Sequence, residues 1–460
     1  MEAKTKEIFP EQETQRGLKN RHVQLIAIAG TIGTGLFLGA GKSIHFGGPS
    51  ILLVYLIIGA FMFVLLRAIG EMLYNDTEQH SFLNFMARYI GPKTGYFGQW
   101  SYWLVVIFMA MSELTAVGVY IQLWLPHVPT VITETVILVL LFGLNTLNAK
   151  FFGETEFWFG MIKIAAIVGM IVTAVIMLFG NFHYSTSSVT GAAQLSNLFG
   201  ARFSNGWGNF FASFQMIMFA FVGMEFIGMT AAETDNPQPT LKKAINQIPV
   251  RIMLFYIGAL LAIMLIVPWD KIQPGKSPFV MVFELVGVKW AANLINFVVI
   301  TSAASALNSC LFSTTRNLYA LSNIHKDKIM TPFTKLSKRG IPLNALIFTA
   351  ILVFLTPFIS MIPGVSDGFT FVTSVATNLF LVVYIMTLWT FLKFRKSKEF
   401  NPEGFTLPGG KILAPVAIIG FLLIFLSLFF YSDTRIPAIG TVVWIIVFGL
   451  ISHFRKPKEN

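Results

Sequence analysis

The stretch GTIGTGLF, residues 30–37, decides the fold because it places glycine and threonine where a membrane helix is expected. It lies in an uncharged apolar run, VQLIAIAGTIGTGLFLGAG, over residues 23–41. Glycine is a poor helix former and frees the backbone to leave the helix. Broken backbone at membrane depth is tolerated where it lines a cavity. We therefore predict an interrupted helix, with close helix packing on the small residues as the alternative.

The composition is that of a membrane protein. Of the 460 residues, 55% are hydrophobic and only 12% are charged, whereas soluble proteins carry about 25% charged residues. The net charge of +11 lies mainly in the loops between apolar segments, so it does not indicate binding to nucleic acid. The single cysteine, Cys310, excludes an intrachain disulfide. The polar residues 1–22 predict a cytoplasmic tail and not a signal peptide.

Twelve apolar stretches are long enough to be membrane spans. Their predicted bounds are roughly 23–43, 49–70, 98–124, 129–148, 154–180, 207–230, 250–270, 290–321, 342–362, 367–392, 412–431 and 436–454. We refer to them below as spans 1 to 12. The predicted fold class is thus an all-α polytopic membrane protein, with no loop long enough for a soluble domain.

The distribution of cations orients these spans. With both termini on one side, the loops and tails of that side hold 25 of the 33 Lys and Arg residues, and the opposite side holds six. Because short cytoplasmic loops carry the excess of Lys and Arg, both termini are predicted to be cytoplasmic.

An inverted repeat is predicted from two glycine-interrupted spans. Span 6 carries FAFVGMEFIGMT, and its Gly223 follows Gly33 by five spans, which is an odd number. Such segments at matching places in inverted halves point to the binding site of a secondary transporter. The predicted organisation is a first repeat over 23–206, a second over 207–395, and two extra spans with a cytoplasmic tail over 396–460.

The interruption in span 1 suits a carboxylate. Backbone N–H groups near Gly33, Thr34 and Gly35 would lose their helical partners, and the positive end of the following helix favours an anion. The Thr34 hydroxyl adds a further donor. Carbonyls before the break, near Thr31, would accept hydrogen bonds from a cation.

The interruption in span 6 suits an ammonium group. Carbonyls of Phe219 and Val222 would be released around Gly223, and together the two spans match an amino-acid zwitterion. Phe219 is also a candidate gate because its ring can close over a substrate. Glu225 follows inside the membrane, where a charge is costly and indicates function. It either takes part in proton coupling or holds the broken helix as a hydrogen-bond acceptor.

Two further charges lie inside predicted spans. Lys163 is roughly nine residues into span 5, and we interpret it as an internal cation that exchanges a proton, with snorkelling to the interface as the alternative. Glu113 lies near the middle of span 3 as a proton carrier, a specificity group or a helix-pairing group. In span 8, Ser305 and Asn308 are candidate supporting neighbours of Lys163, although such side chains usually join helices.

The sequence has no apparatus for catalysis. It contains no HExxH, CxxC or P-loop motif and no cluster of histidines in the spans, which are the signatures of metal, redox and nucleotide chemistry. We therefore predict no enzymatic activity, no metal site and no cofactor, with the proton as coupling ion. We infer no obligate protein partner.

The same motifs carry a family resemblance. IGTGLF in span 1 and FAFVGME followed by AAET in span 6 resemble the amino acid–polyamine–organocation superfamily. NRHVQLIAIAGTIGTGLF, EFWFGMIKI, AINQIPVRIMLFY and INFVVITSAAS resemble its bacterial amino acid permease branch, above all D-serine/D-alanine/glycine transporters and serine permeases of lactic acid bacteria. MSELTAVGVYIQLWLP is instead similar to aromatic and lysine permeases of that branch.

The resemblance implies a leucine-transporter-type fold with a five-plus-five inverted repeat and two extra helices. It implies substrate contacts at Thr31, Thr34 and Gly35 in span 1 and at the matching positions of span 6. It also assigns the family's proton-linked lysine to Lys163 and its span 6 glutamate to Glu225. The expected location is the bacterial plasma membrane.

The function expected from these observations is proton-coupled import of small neutral amino acids, serine, alanine and glycine, by alternating access. Within the branch, aromatic, branched or broad neutral substrates remain alternatives, as does a sodium-coupled or exchange carrier. A channel or receptor is the alternative from another class, and the paired interruptions argue against it.

Overall fold

The computed structural model describes residues 30–77, 79, 81–146, 150–185, 190–199, 205–226, 237–324, 328–362, 365 and 367–454. At residues 150–157, 190, 199 and 360 it describes the backbone alone. The predicted tail over 1–22, the first residues of span 1 and the AAET motif after span 6 lie outside the described residues.

The described chain is almost entirely helical. The helices are α1 Thr34–Phe37, α2 Gly39–Gly47, α3 Ile51–Asn75, α4 Phe82–Tyr89, α5 Pro92–Gln122, α6 Thr130–Asn145, α7 Lys150–Phe179, α8 Ser196–Phe199, α9 Trp207–Ala220, α10 Pro237–Ile266, α11 Pro278–Leu285, α12 Lys289–Ile324, α13 Leu343–Phe354, α14 Gly368–Phe394, α15 Gly410–Ser427 and α16 Ser432–Phe454. The strands are β1 His183–Ser185 and β2 Thr190–Ala192.

Eight helical segments of the described residues are long and apolar enough to cross a membrane. Two shorter apolar helices, α6 and α13, lie at the places of spans 4 and 9. The eight segments count α2 and α3 together, although Gly48, with a φ of 56°, and Pro49 form a 3-10 turn between them. The helix at the place of span 6 is too short to cross a membrane because α9 ends at Ala220. The fold is thus a multi-span helical membrane protein.

Helix α5 lies at the centre of the molecule. It packs against α12 and α14 and also contacts α4 and α6. In α5 and α14, 72% of the apolar stretch is buried inside the protein. The buried share of the apolar stretch is 28% in the segment that contains α15 and 22% in α16. The last two helices are therefore peripheral, and most of their apolar surface is left for lipid.

Four contacts between helices join elements that occupy matching places in the predicted repeat. The elements of spans 1 and 6 touch as α2 and α9, those of spans 2 and 7 as α3 and α10, and those of spans 3 and 8 as α5 and α12. The elements of spans 4 and 9, α6 and α13, also touch. The inverted repeat itself stays a prediction.

A small hairpin closes the end of α10. Strands β1 and β2 pair antiparallel with His183 opposite Ala192. The Tyr184 hydroxyl donates to the carbonyl of Ile266 at 2.9 Å, and the Asn197 amide donates to that of Leu265 at 2.9 Å. These bonds satisfy carbonyls that the last turn of a helix leaves without partners.

At the opposite end of the molecule, a buried ion pair joins α3 to α14. Arg395 donates through Nε and Nη2 to the two oxygens of Glu71, at 2.8 and 2.7 Å. Leu407, in the loop after α14, donates its N–H to Glu71 at 2.5 Å and accepts from Arg395 at 2.8 Å. We call this group the Glu71–Arg395 clasp. It fixes the loop between α14 and α15 to the end of α3.

Candidate functional site

The first helix is interrupted at the predicted place. Gly30 and Thr31 are helical, Ile32 and Gly33 are not, and α1 begins at Thr34. Gly33 has extended backbone angles, with φ at −130°. Its carbonyl accepts from the N–H groups of both Leu36 and Phe37, at 3.2 Å each. The N–H group of Thr34 is left to point away from the helical ladder.

A carboxylate occupies this interruption. The Thr34 N–H and the Thr34 hydroxyl both donate to Oε1 of Glu113 on α5, at 3.3 and 3.1 Å. Both side chains are almost fully buried, with exposed fractions of 1% and 4%. A β-carbon placed on Gly33 would lie 2.8 Å from the same oxygen. The donors predicted from the sequence therefore exist, and in this structure they bind the protein's own carboxylate.

The second interruption follows α9. Residues 221–225 form turns, and Gly223 has a φ of 95°, which a residue with a β-carbon rarely adopts. A β-carbon at Gly223 would also lie 3.2 Å from the carbonyl oxygen of Gly30, so the two interruptions lie against each other. The carbonyl of Phe219 differs from the expectation because it accepts from the N–H of Val222 at 3.1 Å. The chain continues in 3-10-type turns and does not release this carbonyl.

Tyr256 on α10 joins the two interruptions. Its hydroxyl lies 2.9 Å from the carbonyl oxygen of Thr31 and 2.8 Å from that of Ala220. These are the last carbonyls before each break, and a single hydroxyl proton serves only one of them at a time. The pair of carbonyls keeps acceptor capacity that an ammonium group can use.

Glu225 is held by donors from three elements. Its oxygens accept from the hydroxyl of Tyr384 on α14 at 2.7 Å, from the hydroxyl of Tyr102 on α5 at 3.2 Å, and from the N–H of Gly223 at 3.1 Å. The side chain is fully buried. Three donors satisfy a carboxylate and fix the turn after α9. These contacts favour the structural alternative for Glu225 over proton exchange.

Lys163 on α7 does not reach the membrane surface. Its side chain is only 1% exposed, which argues against snorkelling, and its positive charge acts on Glu113. Ser305 on α12 is buried at 3% exposure. Asn308 on the same helix accepts from the amide of Asn145 on α6 at 2.7 Å, which is the helix-joining alternative.

Gly35 and Phe219 are at the crossing of α1 and α9. A β-carbon on Gly35 would lie 2.5 Å from the Cα atom of Ala220, so Gly35 sits where two backbones meet. The ring of Phe219 packs edge to face on Phe369 of α14, with centroids 6.5 Å apart. The small residues of span 1 therefore serve close packing as well as interruption.

A cavity of about 230 Å³ lies on the side of the molecule that is predicted to be outside. Its lining includes Leu38, Phe369 and the charged residues Lys42, Glu134 and Asp367. Lys42 contacts Asp433 at 3.1 Å and Asp367 at 3.6 Å. Since Phe369 also touches Phe219, an aromatic pair lies between this cavity and the interruption of α9.

The sequence did not single out the tyrosines of the site. Tyr102, Tyr256 and Tyr384 are all fully or almost fully buried. A buried tyrosine hydroxyl usually finds a hydrogen-bond partner, and interrupted helices supply unpaired carbonyls. Tyrosines inside predicted spans were therefore a signal of the site. Nothing in the sequence shows which of them reaches it.

Two interrupted membrane helices that lie against each other at their breaks are typical of secondary transporters for small solutes. The sequence matches the family model described as amino acid permease over residues 22–458. The chain belongs to this family.

Three curated relatives align along nearly the whole chain. The DL-alanine permease SerP2 of Lactococcus lactis subsp. cremoris (strain MG1363) is 67% identical, and the alignment covers 98% of each chain. The serine permease SerP1 of the same strain is 60% identical over 98% of this chain and 99% of the relative. The D-serine/D-alanine/glycine transporter of Escherichia coli (strain K12) is 43% identical over 96% of this chain and 94% of the relative.

Proposed function

We propose that this protein is a proton-coupled symporter that imports small neutral amino acids, with serine, alanine and glycine as its substrates, by alternating access. The observation that carries the proposal is the pair of hydrogen bonds from the Thr34 N–H and hydroxyl to the carboxyl group of Glu113. A substrate's carboxylate offers the same acceptor atoms to these donors. The names of the three relatives support the choice of small substrates.

The proposed substrate spans both interruptions. Its carboxylate takes the donors of Thr34, with Thr31, Gly33 and Gly35 shaping the turn. Its ammonium group lies among carbonyls at the start of the second interruption, next to Val222 and Gly223. Phe219, together with Phe369, is the proposed gate towards the outer cavity. Because these ligands, apart from the Thr34 hydroxyl, are backbone groups that contact the substrate's carboxylate and ammonium, this geometry recognises the part common to all amino acids.

Proton coupling is proposed for Lys163 together with Glu113. Both side chains are buried, at 1% and 4% exposure, and they carry opposite charges. A proton gained or lost by one therefore changes the charge that the other meets in a site of low polarity. A proton can shift the conformational equilibrium only if it binds one state more tightly. The three donors on Glu225 support a structural role there, and we do not propose it as a proton carrier.

Transport by purified protein in liposomes tests the proposal. We expect an inward proton gradient to drive labelled alanine and serine above equilibrium, and an uncoupler to collapse the accumulation. Uptake that required sodium, or flux that never exceeded equilibrium under any gradient, would replace the proposal by a sodium-coupled carrier or a channel.

Substitution of Lys163 tests its proposed role in proton coupling. Lys163→Ala should abolish accumulation and retain exchange of labelled for unlabelled alanine, because the substrate ligands are left in place. Exchange and net uptake are measured in the same vesicles. Full uphill transport by this variant would remove Lys163 from the coupling mechanism.

The proposed location is the plasma membrane of a bacterium, with both termini in the cytoplasm. The cation distribution supports this orientation. The partners are then the amino-acid substrate and the lipid bilayer.

A further inference from the structure

We propose that Glu113 is a built-in competitor that occupies the carboxylate site when the substrate is absent and must leave when the substrate binds. The inference rests on the proposed function, because it assumes that the substrate's carboxylate uses the donors of Thr34. It assigns to Glu113 a positioning role in the binding equilibrium, separate from any role in proton transfer.

The contacts of Thr34 show why two carboxylates exclude each other. Its N–H and its hydroxyl converge on one oxygen of Glu113. That oxygen also lies against the backbone of Gly33, where an added β-carbon would be 2.8 Å away. The turn thus offers one set of donors and room for one carboxylate, and Glu113 already occupies it. A second carboxylate there would also bring two like charges into contact, which is costly in a buried site.

The second oxygen of Glu113 is left unsatisfied in the present position. Oε2 is buried and has no hydrogen-bond partner among the residues that the structure describes. A buried, unpartnered carboxylate oxygen is costly, so the side chain is incompletely satisfied on Thr34. Lys163 is also buried, at 1% exposure, and carries the opposite charge. An opposite charge in a buried region favours a carboxylate that has left Thr34.

The consequence is a lower apparent affinity for the substrate. A ligand that must displace an internal group loses the free energy of the contacts that it breaks. The competitor also assists release, because its carboxylate returns to Thr34 as the substrate departs. Both effects, the lower affinity and the assisted release, concern only the substrate's carboxylate. The ammonium end of the site is unaffected.

Equilibrium binding by purified protein tests the proposal with two probes. Alanine carries the carboxylate, and alaninol, its amino-alcohol analogue, lacks it. Glu113→Gln keeps the shape of the side chain and removes its charge, which weakens its hold on Thr34. We expect Glu113→Gln to bind alanine about tenfold more tightly than the wild type, since charge-assisted hydrogen bonds are roughly twice as strong as neutral ones.

The controls separate competition from a general change of the site. Alaninol should gain nothing from Glu113→Gln. Glu284→Gln, at an exposed glutamate on α11, should leave alanine binding unchanged. Glu113→Asp keeps the charge but shortens the side chain, so it should tighten alanine binding to a smaller extent. It also provides a second measurement where Glu113→Gln does not fold, as judged by size-exclusion chromatography.

The outcomes distinguish this inference from the proposed function. Wild-type protein that binds no small neutral amino acid contradicts the proposed function itself. Wild-type protein that binds alanine, with Glu113→Gln binding it equally or more weakly, overturns the competitor and leaves the function intact. Equal tightening of alanine and alaninol also overturns it, because the effect would then not concern the carboxylate.

Discussion

Tyr55 and Tyr256 are in edge-to-face contact, but their hydroxyl groups have different hydrogen-bond partners. Their ring centroids are 5.8 Å apart and both side chains are fully buried. The Tyr256 hydroxyl reaches a carbonyl of each interrupted helix. The Tyr55 hydroxyl has no hydrogen-bond partner among the described residues. Since the two side chains are equally buried, the hydrogen bonds of each hydroxyl decide how much it contributes to stability.

Tyr256→Phe should therefore destabilise the protein, whereas Tyr55→Phe should not. Removing one partner of a buried hydrogen bond leaves the other unsatisfied, so we expect Tyr256→Phe to lower the free energy of unfolding by about 1–2 kcal/mol. It should also weaken alanine binding. Unfolding in detergent and equilibrium binding measure the two effects. Equal stability of the two variants would show that the hydroxyl of Tyr256 does not hold the interruptions.

The sequence predicted individual residues unevenly. It identified Thr34 as a donor correctly, because an interrupted helix must release N–H groups at a known place. It did not predict that Glu113 fills the turn, because that contact joins residues 79 positions apart. The Phe219 carbonyl was expected to be free, and the 3-10 turn that binds it depends on local angles that the sequence does not specify. Whether these residues bind substrate stays a prediction.

Among the elements, the crossing of α1 and α9 depends on the absence of a side chain at Gly35. The nearest atoms are backbone atoms of Ala220, which cannot move aside as a flexible side chain can. Gly35→Ala should separate the two interruptions, reduce transport strongly and lower stability. Gly169→Ala on α7 is the control, because open space surrounds that position and alanine favours a helix. Normal transport by Gly35→Ala would show that the crossing tolerates separation.

A second prediction at this scale concerns the Glu71–Arg395 clasp. Glu71 is 2% exposed and lies within α3, although the sequence placed it in a loop. Breaking a buried pair leaves an uncompensated charge, so Glu71→Gln should lower the free energy of unfolding by about 3 kcal/mol.

Glu399, which pairs with Arg88 at the surface, provides the matched control for the clasp. Exposed pairs contribute little, so Glu399→Gln should have a small effect. Partial burial raises the pKa of Glu399, and hydrogen bonds from Tyr89 and Arg88 lower it. The hydrogen bonds have the larger combined effect, so the pKa lies below its usual value. The contribution of this surface pair is therefore present near neutral pH and is lost as the pH falls. Equal effects of the two substitutions would contradict the distinction.

For the whole molecule, orientation in the membrane is the prediction open to direct measurement. Cys310 is the only cysteine and is buried, so Cys310→Ala provides a background for labelling. His183→Cys lies on the side predicted to be outside, and Lys398→Cys lies on the side predicted to be cytoplasmic. Both positions are exposed. A membrane-impermeant maleimide should label only His183→Cys in intact cells, and the reverse pattern would invert the topology.

The general fold followed from the sequence more readily than its details. Long apolar runs predict helices because a spanning backbone must bond within itself, and the multi-span helical fold is confirmed. The extra helices α4 and α11 and the hairpin of β1 and β2 were not predicted. They depend on contacts such as that of Tyr184 with Ile266, which connect parts of the chain that hydropathy does not relate.

Lys42 links the protein to the medium around it. It joins α2 to Asp367, just before α14, and to Asp433 on α16, and the two aspartates are 42% and 37% exposed. Ions of the surrounding solution screen charges at such positions. Higher ionic strength should therefore weaken the contacts of Lys42 with these two aspartates, whereas the buried Glu71–Arg395 clasp responds little. If this side faces the medium, as the cation distribution predicts, a cell in a saltier medium would have weaker contacts between α2, α14 and α16. The effect would be visible as a salt-dependent KM for transport.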